Sequence, residues 1–339
     1  MSDLGASPTI AGLGEAGVLR EVFSRLAWGA PDCTAVALGP GDDAAYVRVR
    51  AGALVTTDTM VRGRDWKDEW SAPQDVGAKV VAQNLADVAA MGGVGTALLV
   101  TLVAPPTTTV AWVTGLLDGI AEAAAQAGVR VAGGDLSSSE GAVTVAVTAM
   151  GELPPGVNAP VLRSGASPGD VVAVSGDLGR SAAGLEVLRG ADEGWFPPAP
   201  YAQACAAWVD YHCRPSPDLS QGPAAARAGA TAMIDISDGL ITDARRLAAS
   251  SRVGIRLRSS QLEPSVQAAA PVLGRPRAQS CVLHGGEEHV LLGTFAPKSS
   301  PRGWTVLGTV VEGEDGGEKT EVWLDDAIAS VGGWDHFGG

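Results

Sequence analysis

The chain has 339 residues, 18% of them charged, and a formal net charge of −14. That length suits two domains with sizeable cores, and the acidic balance argues against a nucleic-acid partner, whose phosphates need clustered Lys and Arg; a nucleotide met through bound metal stays open. Cys33, Cys205, Cys213 and Cys281 form no C-x-x-C pair, no apolar run is long enough to span a membrane, and the first residues lack the basic start of a signal peptide, so a cytoplasmic enzyme without a zinc site or disulfide framework is expected.

The first predicted helix lies around Glu15–Ala27, where Val18, Leu19, Val22 and Leu26 recur at helical spacing. The glycine-rich acidic turn Gly41-Asp42-Asp43-Ala44-Ala45 follows, with strands near Ala44–Val49 and Ala53–Thr57. The second strand carries Thr56, Thr57 and Asp58 to its end. Pro73 to Met91 reads as a helix: proline suits its first turn, Val76, Val80, Leu85 and Val88 form a stripe, and Gly92-Gly93 stops it. A strand at Thr96–Val103, a helix over Thr109–Ala127 and strands around Val131 and Val143–Met150 complete a mixed α/β layer. Pro154-Pro155-Gly156 and Ser167-Pro168-Gly169-Asp170 mark a boundary, predicting domains at 1–152 and 153–339. The second half begins with a strand at Val171–Val174 and helices near Gly179–Leu188 and Tyr201–Tyr211. A strand ending at Asp235, a helix over Gly239–Ala249 and strands at Val290–Phe295 and Trp304–Val311 follow.

The chemistry lies in the carboxylates. No G-x-x-x-x-G-K-[ST], H-E-x-x-H or G-x-S-x-G is present, and the histidines His212, His284, His289 and His336 are scattered. Asp43 and Asp58 with the Thr56 and Thr57 hydroxyls form an oxygen-rich set suited to Mg²⁺ rather than zinc. Asp87 sits near a helix C-terminus, where the partial negative charge disfavours it unless a cation is near; taken alone, it reads equally well as a surface aspartate. Gly133-Gly134-Asp135 exposes N–H groups to a ligand or is an ordinary turn. Capping explains one polar residue of Ile234-Asp235-Ile236-Ser237-Asp238-Gly239, but not Asp235 between two isoleucines. Arg163 is a candidate phosphate contact or a solvated linker arginine, and Gly285-Gly286-Glu287-Glu288-His289 alone is a charged turn.

Taken in order, these motifs resemble the thiamine-monophosphate kinase family, within the ATP-binding superfamily that includes aminoimidazole ribonucleotide synthetase and selenophosphate synthetase. The matching pieces are Gly41-Asp42-Asp43, Thr56-Thr57-Asp58-Thr59, Asn84 to Gly92, Gly133-Gly134-Asp135, Leu162 to Asp170, Arg214-Pro215-Ser216-Pro217, Asp235 to Leu240, Gly285-Gly286-Glu287 and Asp335-His336-Phe337. The resemblance implies a two-domain α/β fold, a homodimer formed through the first half, several Mg²⁺ ions, and ATP and thiamine monophosphate as substrates. It implies metal contacts from Asp43, Thr56, Thr57, Asp58, Asp87, Asp135, Asp235 and Asp238, with Asp58, Asp87, Asp135 and Asp235 acting catalytically through the metal. Gly134, Asp135, Arg163 and Ser237 are implied at the nucleotide, and Asp65, Glu287 and Trp334 at the acceptor. Asp65 stands where the family has a histidine, and Glu288 where it has an aspartate. Both departures fall near the implied acceptor, so a kinase with another phosphorylated acceptor, or a silent nucleotide- or thiamine-binding protein, are the rival readings.

Overall fold

The computed structural model describes residues 8–26, 35–38, 46–49, 51–313, 320–330 and 332. The Gly41-Asp42-Asp43 turn, Trp334 and Asp335-His336-Phe337 lie outside these residues. The fold is α/β, and the chain divides into two compact units, Met1–Leu85 with Gly95–Glu152 and Ala86–Val94 with Leu153–Gly339. No helix among the described residues is long and apolar enough to cross a membrane.

The first unit opens with helices α1 (Ile10–Leu13) and α2 (Glu15–Leu26) and a small antiparallel pair, β1 (Val36–Leu38) and β2 (Tyr46–Val47). Its main sheet has the order β3 (Leu54–Val61), β6 (Thr144–Glu152), β4 (Val94–Ala104), β5 (Arg130–Ser138). β3 pairs antiparallel with β6, and β4 pairs parallel with β5. The parallel pair needs a crossover, supplied by α4 (Val110–Gln126), while α3 (Pro73–Ala90) links β3 to β4. Alternation decides the faces: Met60, Leu98, Val100, Leu102, Val145, Val147 and Ala149 are buried, whereas Val55 and Leu99, on the other face, are 63% and 39% exposed. The two helices approach closely at glycines, since a Cβ on Gly77 would lie 2.1 Å from the Leu116 carbonyl and one on Gly119 2.0 Å from that of Gln74. The Thr109 hydroxyl accepts the Trp112 N–H at 3.2 Å and so starts α4.

The second unit is built on a seven-stranded sheet. Its order is β13 (Ala327–Ile328), β12 (Val322–Leu324), β9 (Val253–Leu257), β11 (Thr305–Glu312), β7 (Val171–Val174), β10 (Leu291–Phe295), β8 (Ala230–Asp235). Within this sheet, only β9–β12 pairs parallel among the described residues. Val172, Val174, Ile234, Ile255, Leu292 and Leu307 form a core with α8 (Leu240–Ser251), α9 (Ser259–Leu273) and α10 (Arg275–His284). A smaller apolar cluster contains Ala173, Met233, Phe295 and Trp304, where the last two rings meet edge to face at 5.1 Å. The end of α3 joins this cluster through Ala89 and Ala90, and a Cβ on Gly222, in α7 (Gln221–Arg227), would lie 2.1 Å from the Ala89 carbonyl.

Candidate active site

In the first unit, Asp58 lies within β3, not at its end, because the strand continues to Val61. Its pairing with Val147 puts it on the buried face, half-buried, and its N–H donates to Asn84 Oδ1 at 3.1 Å. Asn84 is fully buried and donates in turn to the Val80 carbonyl at 2.8 Å, so a helix amide positions the strand at Asp58. Thr56 shares the Asp58 face. Thr57 points the other way, donates to the Val147 carbonyl and accepts from the Thr148 hydroxyl, each at 3.1 Å.

Gly133-Gly134-Asp135 lies inside β5, where a turn was expected. The glycines serve strand contact: a Cβ on Gly134 would lie 1.9 Å from the Val100 carbonyl of β4. Asp135 is exposed, pairs with Thr101 on the Leu99 face and accepts the Ser137 hydroxyl at 3.0 Å. Asp58 and Asp135 thus occupy the two edge strands and opposite faces of the sheet; the unit by itself does not bring them together. Asp65 closes the turn after β3, its carboxylate accepting the Val61 N–H at 2.6 Å. Its carbonyl faces the ammonium of Lys79 loosely, at 3.5 Å. Lys79 is buried on α3, and its sequence signal is a polar residue three positions beyond Val76 on the apolar stripe.

In the second unit two predicted motifs come side by side. Asp235 ends β8, and the ladder continues past it: Ile236 N–H donates to the Val290 carbonyl at 2.8 Å, Glu287 N–H to Ser237 at 2.8 Å and His289 N–H to Ile236 at 2.9 Å. This contact requires glycine, because a Cβ on Gly286 would lie 2.4 Å from the Ser237 carbonyl and one on Gly239 2.6 Å from that of His284. Asp235 is buried, with His289 Nδ1 3.4 Å from its Oδ2. Asp238 forms an ion pair with Arg246, which also donates to Asp243 Oδ1 at 2.7 Å. Asp243 is buried and accepts the Asp238 N–H at 2.9 Å; burial pushes its carboxyl up to about 7, against that hydrogen bond. The helix start is therefore held by Asp243 reaching back, not by Ser237 or Asp238 as caps.

Arg163 is exposed beside the edge of β8, where the Leu162 carbonyl accepts the Met233 N–H at 2.9 Å. Ser251 fixes the loop, donating to the Arg163 carbonyl at 3.0 Å and accepting the Ala166 N–H at 3.2 Å. Asp87 is half-buried in the last turn of α3 among buried Val88, Ala89 and Ala90. Among the described residues, no three His, Cys, Asp or Glu side chains group closely enough to hold a metal.

Sequence reasoning missed the groups around Glu287 and Glu288. Glu288 has no side-chain exposure; it accepts the Ser181 N–H at 2.7 Å and lies 3.6 Å from Arg180 Nε. Burial pushes its carboxyl up to about 7, against the pull of Arg180 and the Ser181 N–H. Arg180 and Ser181 open α5 (Arg180–Asp192), and the Arg180 guanidinium stacks 3.8 Å from the Tyr211 ring centroid. Tyr211 and His212 lie on α6 (Ala202–Cys213); the Tyr211 hydroxyl, pushed up by burial, donates to the Glu288 carbonyl at 2.7 Å. His212 Nδ1 lies 3.3 Å from Glu287 Oε2. These partners come from segments far apart in sequence, and no local pattern links them.

Residues 41–153 match the family model described as AIR synthase related protein, N-terminal domain. The chain is 41% identical over 343 residues to the thiamine-monophosphate kinase of Mycobacterium tuberculosis H37Rv, covering 98% of this chain and 94% of that one. The chain belongs to the thiamine-monophosphate kinase family. Among solved structures, the family's enzyme from Stenotrophomonas maltophilia K279a superposes with a TM-score of 0.75 at 29% identity, covering 91% of this chain and 96% of that one. The structure described as AaThiL complexed with AMPPCP and TMP gives a TM-score of 0.74 at 31% identity, covering 96% and 97%.

Proposed function

We propose that this protein transfers the γ-phosphoryl group of ATP to thiamine monophosphate, giving ADP and thiamine diphosphate. Full-length kinship to kinases of that name carries the reading, with support from the AaThiL complex, which holds an ATP analogue and TMP. The pairing of the Asp235–Gly239 turn with the Gly285–His289 loop brings two of the acidic motifs side by side in the second unit.

The acceptor is already an anion, so no base must remove a proton. The obstacle is repulsion between two polyanions brought in line. The donors available are carboxylate and hydroxyl oxygens, the chemistry Mg²⁺ prefers, and the buried Asp235 carboxylate lies 3.4 Å from His289 Nδ1. Asp43, Thr56, Asp58, Asp87, Asp235 and Asp238 would hold the ions, and Asp238 would exchange Arg246 for them; Thr57 and Asp135, on the other face of the first unit's sheet from Asp58, would not share an ion with Asp58 within one copy of that unit. Bound Mg²⁺ supplies charge neutralisation at the transferring phosphates. Arg163, the Gly134 and Asp135 strand segment and Ser237 would bind the nucleotide, while Glu287, with Trp334, binds the thiamine end. Asp65, whose carboxylate accepts the Val61 N–H, would act on the cationic half of the acceptor or stand just outside its pocket.

In this reading residues 1–152 bind ATP and metal and form a homodimer, and residues 153–339 complete the site. An enzyme that consumes ATP fits the cytoplasm. Purified protein with Mg²⁺-ATP should convert thiamine monophosphate to thiamine diphosphate with stoichiometric ADP, and should leave thiamine unphosphorylated. Absence of turnover with thiamine monophosphate, while ATP still binds, would overturn the acceptor assignment.

A further inference from the structure

The Gly285–His289 loop carries Glu287 in a conformation that its own backbone does not favour. Glu287 and His289 both have positive φ, 59° and 55°. Something outside the loop must therefore hold it, and two consecutive residues at the end of α6 do so. Tyr211 donates to the Glu288 carbonyl at 2.7 Å, and His212 Nδ1 faces the Glu287 carboxylate at 3.3 Å. The same His212 nitrogen lies 3.0 Å from the Ser181 hydroxyl at the start of α5. His212 is buried, whereas Glu287 is partly exposed, so one end of the contact is anchored and the other is presented.

We infer that His212 is a positioning residue for the acceptor: its Nδ1–H donates to Glu287 Oε2 and so aims the carboxylate at the substrate. The chemistry selects the tautomer. A carboxylate beside an unprotonated Nδ1 would set two lone pairs against each other, whereas Nδ1–H serves Glu287 directly and leaves the Ser181 oxygen as a second acceptor. The contact fixes Oε2 at the anchored end, and the partly exposed carboxylate is presented to a donor or cationic group on the ligand. An aimed carboxylate is bound to the substrate in ground and transition states alike, so its loss belongs in KM. The inference rests on the proposed thiamine monophosphate reaction.

The test compares steady-state constants of wild type, His212→Ala, Glu287→Ala and the double variant. His212→Ala should raise the KM for thiamine monophosphate about tenfold, the effect of losing one hydrogen bond to a charged group, with kcat and the KM for ATP little changed. His212→Asn, whose amide nitrogen can take the Nδ1 place, should restore the wild-type KM; His212→Gln, whose nitrogen reaches the Nε2 place, should not, and it replaces the alanine variant if that one fails to fold. In the Glu287→Ala background, the His212 substitution should add nothing, because its target is gone. Additive effects, or an equal fall in Asn and Gln variants with both substrates affected, would make His212 merely structural. A wild type that turns over no thiamine monophosphate would overturn the functional reading itself, and this role with it, a result distinct from additivity in an active enzyme.

Discussion

Burial makes the Glu288 carboxyl keep its proton to higher pH than in the unfolded chain. Its carboxyl rises from 4.5 to about 7, chiefly through burial, with Arg180, Ser181 N–H and His289 opposing. A raised acid favours the folded state while both forms are protonated, so its stabilisation is complete below pH 4.5 and is lost as pH rises through about 7. Urea midpoints measured from pH 5 to 7.5 should therefore carry a falling component from this residue. Glu288→Gln keeps an acceptor for the Ser181 N–H without a titrating group, and should flatten that component. A Gln variant with the wild-type slope would assign it to other groups. Asp65 and Glu288, the two departures from the family pattern, both make local contacts: one closes a turn, the other ties a loop to a helix start.

At the scale of elements, the Gly133-Gly134 pair separates two uses of glycine. A Cβ on Gly133 meets only the Leu99 side chain at an ordinary 3.6 Å, whereas one on Gly134 would strike the Val100 backbone at 1.9 Å. Gly134→Ala should cost about 1–3 kcal/mol, as expected for overpacking against a backbone that cannot yield, and Gly133→Ala much less. Thermal unfolding of both variants checks this, and equal losses would refute the strand-contact account. The sequence marked these glycines but misread their setting, because a glycine pair before an aspartate signals a turn unless the neighbouring strand is known. Long apolar stripes made α3 and α4 legible, and the β8–α8 turn was legible from Asp235 to Gly239. The stretch between Ala249 and Val290 was not: it holds β9, α9 and α10, and α9 contains Pro264 and Pro271, whose missing N–H groups argue locally against a helix that tertiary burial of Leu262, Val266 and Ala269 sustains. The clustering of Glu287 with His212 and of Glu288 with Arg180 was invisible for a different reason, since it depends on where α5 and α6 land.

For the whole molecule, the first unit's sheet raises the question of what covers it. β3 and β5 are its outer strands, and eleven-residue β4 lies beside β5. On the face away from Leu98, Val100 and Val147, Val55 is 63% exposed and Leu99 39% exposed, next to Thr57, Thr59 and Thr101. An outer strand with an apolar, weakly charged face is an aggregation hazard unless it is covered. A two-fold partner covers both copies with the same surface. We expect sedimentation at micromolar concentration to give a dimer. Leu99→Glu should shift it to monomer with little loss of monomer stability, because Leu99 already meets solvent and because two-fold symmetry places two new like charges in one interface. Circular dichroism and an unfolding curve on the variant separate dissociation from misfolding. A wild-type monomer would contradict the assembly, and a Leu99→Glu protein that stays dimeric would move the interface away from this face.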